Sequence, residues 1–272
     1  MASLKEVKGR IASVNSTRKI TSAMKMVASA KLHKAQAAIE SMLPYERRLH
    51  HILTDFMSNC TEVTSPFIVK REVKKVAVVV FASNTSLCGG FNANVIRHLV
   101  DLLAEYKPLG LENILVFPVG KKVADAVRKL GFRIEGDFQH MADKPSYQEA
   151  ADLAADLMKR FLHGDVDKVE LLYNHFKSTA SQILTRETYL PIDLNNEKKE
   201  EERTIDYILE PSAEELMQEM LPKVLRMKMF TVLLDSNAAE HAARTMAMQI
   251  ATDNANLHNS LSETKRAGKP CT

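Results

Sequence analysis

Residues 232–261, VLLDSNAAEHAARTMAMQIATDNANLHNSL, decide how the chain is read. Val232, Ser236, Ala239, Ala243, Met246, Ile250, Asn254, Leu257 and Leu261 recur at steps of three and four, the heptad seam of a coiled coil. Ala238, Ala242, Ala247, Ala251 and Ala255 crowd its flanks, and side chains this small let a partner backbone come close. The helix that carries them is expected to start at Ser212, an N-cap with Glu215 three residues on, and to run to about Glu263. Pro222 should kink it early. A coiled coil needs a second helix, and the other end of the chain supplies it.

From Ser3 to Asn59 the only glycine is Gly9 and the only proline is Pro44, in a stretch rich in Ala, Lys, Met, Leu and Arg. These are good helix formers, so one very long helix is expected. Its apolar residues fall first at Leu4, Val7, Ile11 and Val14, then restart on another face at Ile20, Met24 and Val27. The expectation is a seam that moves around the helix and meets more than one neighbour. Pro44 should bend this helix without ending it, because periodic apolar residues resume at Leu49, Ile52, Leu53 and Phe56.

Between the helices the pattern changes. Val76–Ala82 is an unbroken apolar run of the kind buried on both faces of a sheet. Strand and helix then alternate: helix Phe91–Tyr106, strand Asn113–Val119, helix Lys121–Leu130, helix Pro145–Leu162, strand Val169–Phe176 and a more exposed strand Gln182–Pro191. Such alternation predicts a mostly parallel sheet covered by helices. The fold class is therefore α/β: a long antiparallel coiled coil of N- and C-terminal helices with an inserted, mostly parallel, Rossmann-like α/β domain. The boundaries are 1–60 for the first helix, 74–192 for the α/β domain, 193–211 for a charged linker and 212–272 for the second helix. At about 1.5 Å per residue each helix outruns a small domain, so part of the pair must project.

Composition narrows the function. The 272 residues, 45% hydrophobic and 26% charged, contain no run near the roughly 18 uncharged apolar residues of a membrane span, and the amino end lacks the apolar core of a signal peptide. No direct membrane insertion is expected. No Arg- and Ser-rich leader is seen either, which favours a bacterial cytoplasmic origin. Cys60, Cys88 and Cys271 have neither paired nor metal-ligand spacing. Histidines His33, His50, His51, His241 and His258 lie on the long helices without a third metal ligand at helical spacing. The net charge is only +3, yet residues 1–34 set Lys5, Lys8, Arg10, Arg18, Lys19, Lys25, Lys31 and Lys34 against Glu6 alone. That end seeks an acidic partner. No aromatic residue is interleaved with the lysines and no recognition motif accompanies them, which leaves a nucleic-acid-binding basic helix as an alternative rather than the main reading.

The segment Ser83-Asn84-Thr85-Ser86-Leu87-Cys88-Gly89-Gly90 follows the first strand and opens a helix, where α/β enzymes place nucleophiles and phosphate turns. A cysteine hydrolase using Cys88 would draw its base from His98, His140, His163 or His175, none at diagnostic spacing. Neither the dinucleotide fingerprint nor the Walker pattern is present. Leu87, Cys88, Gly89 and Gly90 are better read as a structural turn in which glycines let the helix pack on the sheet. No catalytic, cofactor or metal-binding residue is assigned.

Three groups of residues resemble one family. Ile11-Ala12-Ser13-Val14 with Arg18-Lys19-Ile20-Thr21-Ser22-Ala23-Met24-Lys25-Met26-Val27-Ala28, Ser-x-x-x-Leu-Cys-Gly-x-Phe-Asn at 83–92, and Glu240-His241-x-Ala243-Arg244-x-Met246-Ala247-Met248 with Ala251-Thr252-x-Asn254-Ala255 resemble the signatures of F-type ATP synthase gamma subunits. They fall in order near the start, a third of the way along and near the end. The resemblance implies a non-catalytic rotor whose coiled coil sits in a ring of alpha and beta catalytic subunits, while the α/β domain rests on the membrane c-ring beside the epsilon subunit. It implies coupling of proton flow to ATP synthesis or hydrolysis at the cytoplasmic face of the bacterial inner membrane, with no nucleic acid. By position, Ile20, Thr21, Met24, Lys25, Val27, Arg244, Met246 and Met248 should lie in the shaft gripped by the ring. Thiol control is not implied, because no cysteine pair lies in the α/β domain. Two departures stand out. Family members carry Asp-Arg-Gly where this chain has Asn84-Thr85-Ser86, so a charge pair there is absent. The family helix also continues past Leu261 to a hydrophobic tip, whereas Thr264–Thr272 here contains the helix breakers Gly268 and Pro270; a truncated or frame-shifted end with weakened torque transfer is expected.

Overall fold

The computed structural model describes residues 4–59, 65–192 and 213–266. Two helices dominate it: α1, Leu4–Asn59, and α6, Ala213–Arg266. Pro44 and Pro222 lie inside these helices and interrupt neither. The N-cap expected at Ser212, the linker 193–211 and the segment with Gly268 and Pro270 lie outside the described residues.

Between them the strands β1 (Val76–Phe81), β2 (Ile114–Val119), β3 (Arg133–Ile134), β4 (Lys168–Ser178) and β5 (Ser181–Leu190) form one sheet in the order β3-β2-β1-β4-β5. All neighbours are parallel except β4 and β5, which make an antiparallel hairpin at one edge. The connecting helices are α2 (Phe91–Tyr106), α3 (Lys121–Leu130), α4 (Gln139–Asp143) and α5 (Tyr147–His163). Of these elements β3 and α4 escape the sequence reading, because two and five residues are too few to show a period.

The unbroken apolar run of β1 follows from its central place, since each face must meet a different layer. Val76, Val78 and Val80 pack with Val95, Leu99 and Leu103 of α2 and Val123 and Val127 of α3. Ala77, Val79 and Phe81 pack with Leu153, Leu157 and Phe161 of α5 and with Met217, Leu221, Leu225 and Met229 of α6. The first half of α6 is thus a core helix of the domain. Its second half leaves the sheet and pairs with α1, and the two helices run antiparallel: Thr21 meets Thr252, Arg18 meets Asn256 and Asn15 meets Asn259.

This pairing corrects the expected seams. On α1 the line turned inward is Val7, Ile11, Val14, Arg18, Thr21, Lys25, Ala28, Leu32, Ala35, Ile39 and Met42, an unbroken alternation of steps of four and three that stays at least partly buried. The seam does not move to another face at Ile20; it stays in place and turns polar. On α6 the inward residues above the domain are Ala238, Ala242, Thr245, Met248, Ala255 and Asn259, all buried. Ile250 and Leu257, read from the sequence as seam residues, are instead 54% and 61% exposed. The heptad counted from Val232 begins on the sheet-facing side of α6, so carried upward it comes out on the wrong side of the coil.

Candidate functional site

The free part of the helix pair is zipped by small and polar groups. Thr21 Oγ1 and Thr252 Oγ1 are 2.9 Å apart, Arg18 Nη1 donates to Asn256 Oδ1 at 3.3 Å, and Asn259 Nδ2 donates to Asn15 Oδ1 at 2.9 Å. Thr21 and Thr252 also donate back to Arg18 O and Met248 O within their own helices, so one hydroxyl proton at a time serves the pair. With the inside polar, the large apolar side chains sit outside: Ile20 is 58%, Met26 66% and Val27 59% exposed on α1, alongside Ile250 and Leu257 on α6. Lys5, Lys8, Arg10 and Lys19 are exposed on the same stretch of α1.

Where the helices meet the domain, charge takes over. Asp235 Oδ1 accepts the Phe176 N–H at 2.8 Å and its Oδ2 lies 2.7 Å from His175 Nδ1, which ties α6 to β4. Asn237 Nδ2 donates to Ala142 O at 3.0 Å. About two turns on, Arg244 Nη1 donates to Ser86 O at 2.6 Å and Nη2 to Thr85 Oγ1 at 2.8 Å, while Nε donates to Glu240 Oε1 at 2.8 Å. Burial alone would raise the Glu240 carboxyl, but the His241 ring, 2.6 Å from Oε2, and the Arg244 guanidinium outweigh it and hold the carboxyl below the usual range.

The turn that Arg244 grips is the one with catalytic potential in the sequence. Leu87 and Gly89 adopt φ of +69° and +59°, the left-handed region that lets the chain reverse tightly between β1 and α2. Ser83 Oγ donates to Thr85 O at 2.6 Å, and the Asn92 amide donates to Ser83 Oγ, Thr85 O and Cys88 Sγ. Cys88 is buried with Phe91 and Ala239, and no histidine is among the partners of its sulfur. The sheet order reverses beside β1, and that is where open α/β sheets bind ligands, at the carboxyl ends of the strands. Here Leu233, Ser236, Asn237 and Glu240 of α6 cover the carboxyl ends of β1 and β2 and leave about 10 Å³ against Phe81, Ala82, Ser83 and Val119, while Ala239 and Ala243 pack with Cys88 after β1 and Phe176 of β4. Such a space holds one water at most. α6 thus covers the strand ends at which open α/β sheets bind ligands. No group of three potential metal ligands occurs among the described residues.

Residues 3–264 match the family described as ATP synthase. Over 258 residues the chain is 81% identical to the ATP synthase gamma chain of Phocaeicola vulgatus, covering 94% of this chain and 89% of that one. The chain belongs to the F-type ATP synthase gamma family. The gamma chain of Bacteroides thetaiotaomicron is 61% identical over 267 residues, 94% of this chain and 90% of that one. Among solved structures, a chain of the Tetrahymena thermophila mitochondrial ATP synthase central stalk and c-ring aligns with a TM-score of 0.58 at 23% identity, over 85% of this chain and 99% of that chain. A chain of the Euglena gracilis mitochondrial ATP synthase rotor gives 0.58 at 17% identity, over 96% of each. At those identities the likeness is one of fold. Gamma chains are non-catalytic subunits of ATP synthase, so the hydrolase reading of Cys88 and the nucleic-acid reading of the basic helix are set aside.

The gamma-family residues carried over by position separate into three places. Ile20 and Val27 face solvent, with Met24 and Met246 half-buried beside them and Lys25 half-buried on the inner line of α1. Thr21 and Met248 lie inside the coil, where they set the distance between the helices. Arg244 points at the domain. Met26, outside the residues that the resemblance picks out, is as exposed as Ile20 and Val27, and its place beside Val27 is the sequence signal for it. The contacts of Asp235 and Arg244 could not be read in advance, because the donor that Asp235 meets lies 59 residues away on β4 and the acceptor that Arg244 meets lies 158 residues away on the 83–90 turn.

Proposed function

We propose that this chain is the central-stalk rotor of an F-type ATP synthase. The projecting helix pair turns inside a ring of alpha and beta subunits, and the α/β domain engages the membrane c-ring with the epsilon subunit beside it. Turning couples proton flow to ATP synthesis or hydrolysis, whose chemistry belongs to the beta subunits. The chain sits peripherally at the cytoplasmic face of the bacterial inner membrane; no described helix is long and apolar enough to cross a bilayer.

One observation carries this reading. Above Arg244 the helix pair turns Thr21, Thr252 and Asn259 inward together with Met248 and Ala255, yet keeps Ile20, Met26, Val27, Ile250 and Leu257 outside. A coil built only for its own stability would bury those larger apolar side chains in place of the threonines and asparagines. Large apolar side chains kept in solvent on a projecting rod fit a protein collar around it. The contact set proposed is Ile20, Met24, Lys25, Met26, Val27, Met246, Ile250 and Leu257, with Lys5, Lys8, Arg10 and Lys19 suited to acidic loops. Thr21, Met248 and Arg244 support that surface from behind.

The test is co-purification of the tagged chain from its host, with ATPase activity and ATP-driven proton pumping assayed on the product. Alpha and beta subunits recovered with pumping are expected. Recovery of neither subunit would sink the rotor reading.

A further inference from the structure

The junction between shaft and domain has two tethers on α6, nine residues apart. Asp235 holds the end of β4, and Arg244 holds the turn after β1. At about 1.5 Å per residue they are separated by roughly 13 Å along the helix axis. A rod fixed at one point can pivot; fixed at two, it has a set angle. Beyond Arg244, Thr252, Asn256 and Asn259 turn to α1 instead of the domain.

Arg244 is built for the upper tether. Its side chain is 13% exposed, and the buried Glu240 one turn below accepts from Nε and aims the guanidinium from behind. The two outer nitrogens then reach a carbonyl and a hydroxyl on adjacent residues, a forked geometry that a lysine ammonium cannot reproduce. The receiving turn is itself pinned by the Ser83 and Asn92 hydrogen bonds and by the left-handed Leu87 and Gly89. In this chain Thr85 and Ser86 stand where an Asp-Arg-Gly motif would place Arg and Gly, so the latch is neutral on the domain side and charged only on the shaft side.

We propose that Arg244 is a positioning residue that fixes the angle at which the shaft leaves the α/β domain, so that rotation of the domain passes to the shaft without play. This rests on the rotor reading above. Losing a charge-assisted hydrogen bond lowers the closing constant of the latch by about tenfold or more. The loss should appear as slip between ATP hydrolysis and proton pumping, with the shaft still in its ring.

The experiment uses the assembled complex in inverted membrane vesicles, measuring protons pumped per ATP hydrolysed. Arg244→Gln should keep hydrolysis and pump about twofold or more fewer protons per ATP, and Arg244→Lys should restore only part of the loss. A covalent latch then replaces the lost one. A β-carbon at Gly89 would lie 3.8 Å from that of Ala247, the spacing of a disulfide. Gly89→Cys with Ala247→Cys, added to Arg244→Gln with Cys60→Ser and Cys271→Ser, carries the strain of a side chain at a φ of +59° and so serves as its own control: the same complex should recover pumping when oxidised and lose it when reduced. An Arg244→Gln complex that pumps like the unmodified one, an Arg244→Lys complex that matches it, or oxidation without rescue would overturn the proposal. If Arg244→Gln does not assemble, Thr85→Val removes only the hydroxyl acceptor and should still lower the ratio; an unchanged ratio counts against the latch. An unmodified complex that hydrolyses ATP but never pumps would fail the rotor reading itself, a result separate from loss confined to the variants.

Discussion

Glu170 is 2% exposed on β4 and carries a full negative charge into the α2 face of the sheet. Its Oε1 accepts from Tyr106 Oη at 2.8 Å and Arg186 Nη2 at 3.1 Å and lies 2.6 Å from Lys168 Nζ; its Oε2 accepts from Arg186 Nε at 3.0 Å. Glu170→Gln keeps the shape and removes the charge, and it turns an amide N–H₂ toward donors. Breaking one member out of a buried ion pair costs about 3–5 kcal/mol. Lys168 and Arg186 are 25% and 37% exposed and can regain water, and Arg186 keeps Glu105 at 2.7 Å. The lower end therefore applies, about 3 kcal/mol, or roughly 6–12 °C in Tm for a chain of this size. Burial by itself would raise the Glu170 carboxyl, but hydrogen bonds from Arg186, Lys168 and Tyr106 outweigh it and hold it below its ordinary 4.5. With the folded value depressed, this stability is complete above pH 4.5 and is lost as pH falls through the folded value. Thermal unfolding of the full chain followed by circular dichroism, at pH 7 and at steps down to about pH 3, measures both effects. The variant should be less stable at neutral pH and lose less on acidification. A loss under about 0.5 kcal/mol at pH 7, or an acid slope equal to that of the unchanged chain, would refute the reasoning. Replacing the whole cluster, Lys168→Met with Glu170→Leu and Arg186→Leu, should by contrast be near neutral, because no charge is left stranded.

Gly120→Ala should prevent folding or cost more than about 3 kcal/mol, since φ there is +116° and the added carbon would meet Ala82 O at 2.2 Å; soluble yield and Tm read this directly. Thr21→Val and Thr252→Val should each cost about 1 kcal/mol and together less than their sum, because the partner hydroxyl is already stranded by the first change; urea unfolding of the four chains gives the coupling, and strict additivity would mean that the 2.9 Å contact contributes nothing. Val27→Asp and Ile250→Asp, at positions 59% and 54% exposed, should leave the free chain within about 0.5 kcal/mol of its stability yet lower the recovery of alpha and beta subunits. Equal destabilisation of the free chain would show that these side chains serve the fold and not a partner.

The sequence alone determined the two long helices, the α/β domain between them and the family, and it did so because each rests on local or repeated signals. Helices of more than 50 residues repeat their pattern many times, and Val76–Phe81, buried on both faces, has little choice of residue. Leu87, Cys88 and Gly89 were legible as a turn because a strand, two glycines and a helix lie in one short stretch. What lies across the fold was not legible. The inner line of α1 passes through Arg18, Thr21 and Lys25, which no hydrophobic count selects, because the partner there is a narrow polar strip of α6. Ile250 and Leu257 had the right spacing and the wrong side, since the phase of a helix is set by what it packs on and α6 changes neighbours midway. That α6 also covers the carboxyl ends of β1 and β2, and that Arg244 grips Thr85 and Ser86, depends on bringing residues more than 150 positions apart into contact. Tertiary packing alone decides that, because a hydrogen-bond donor carries no mark in the sequence of which distant acceptor it will meet.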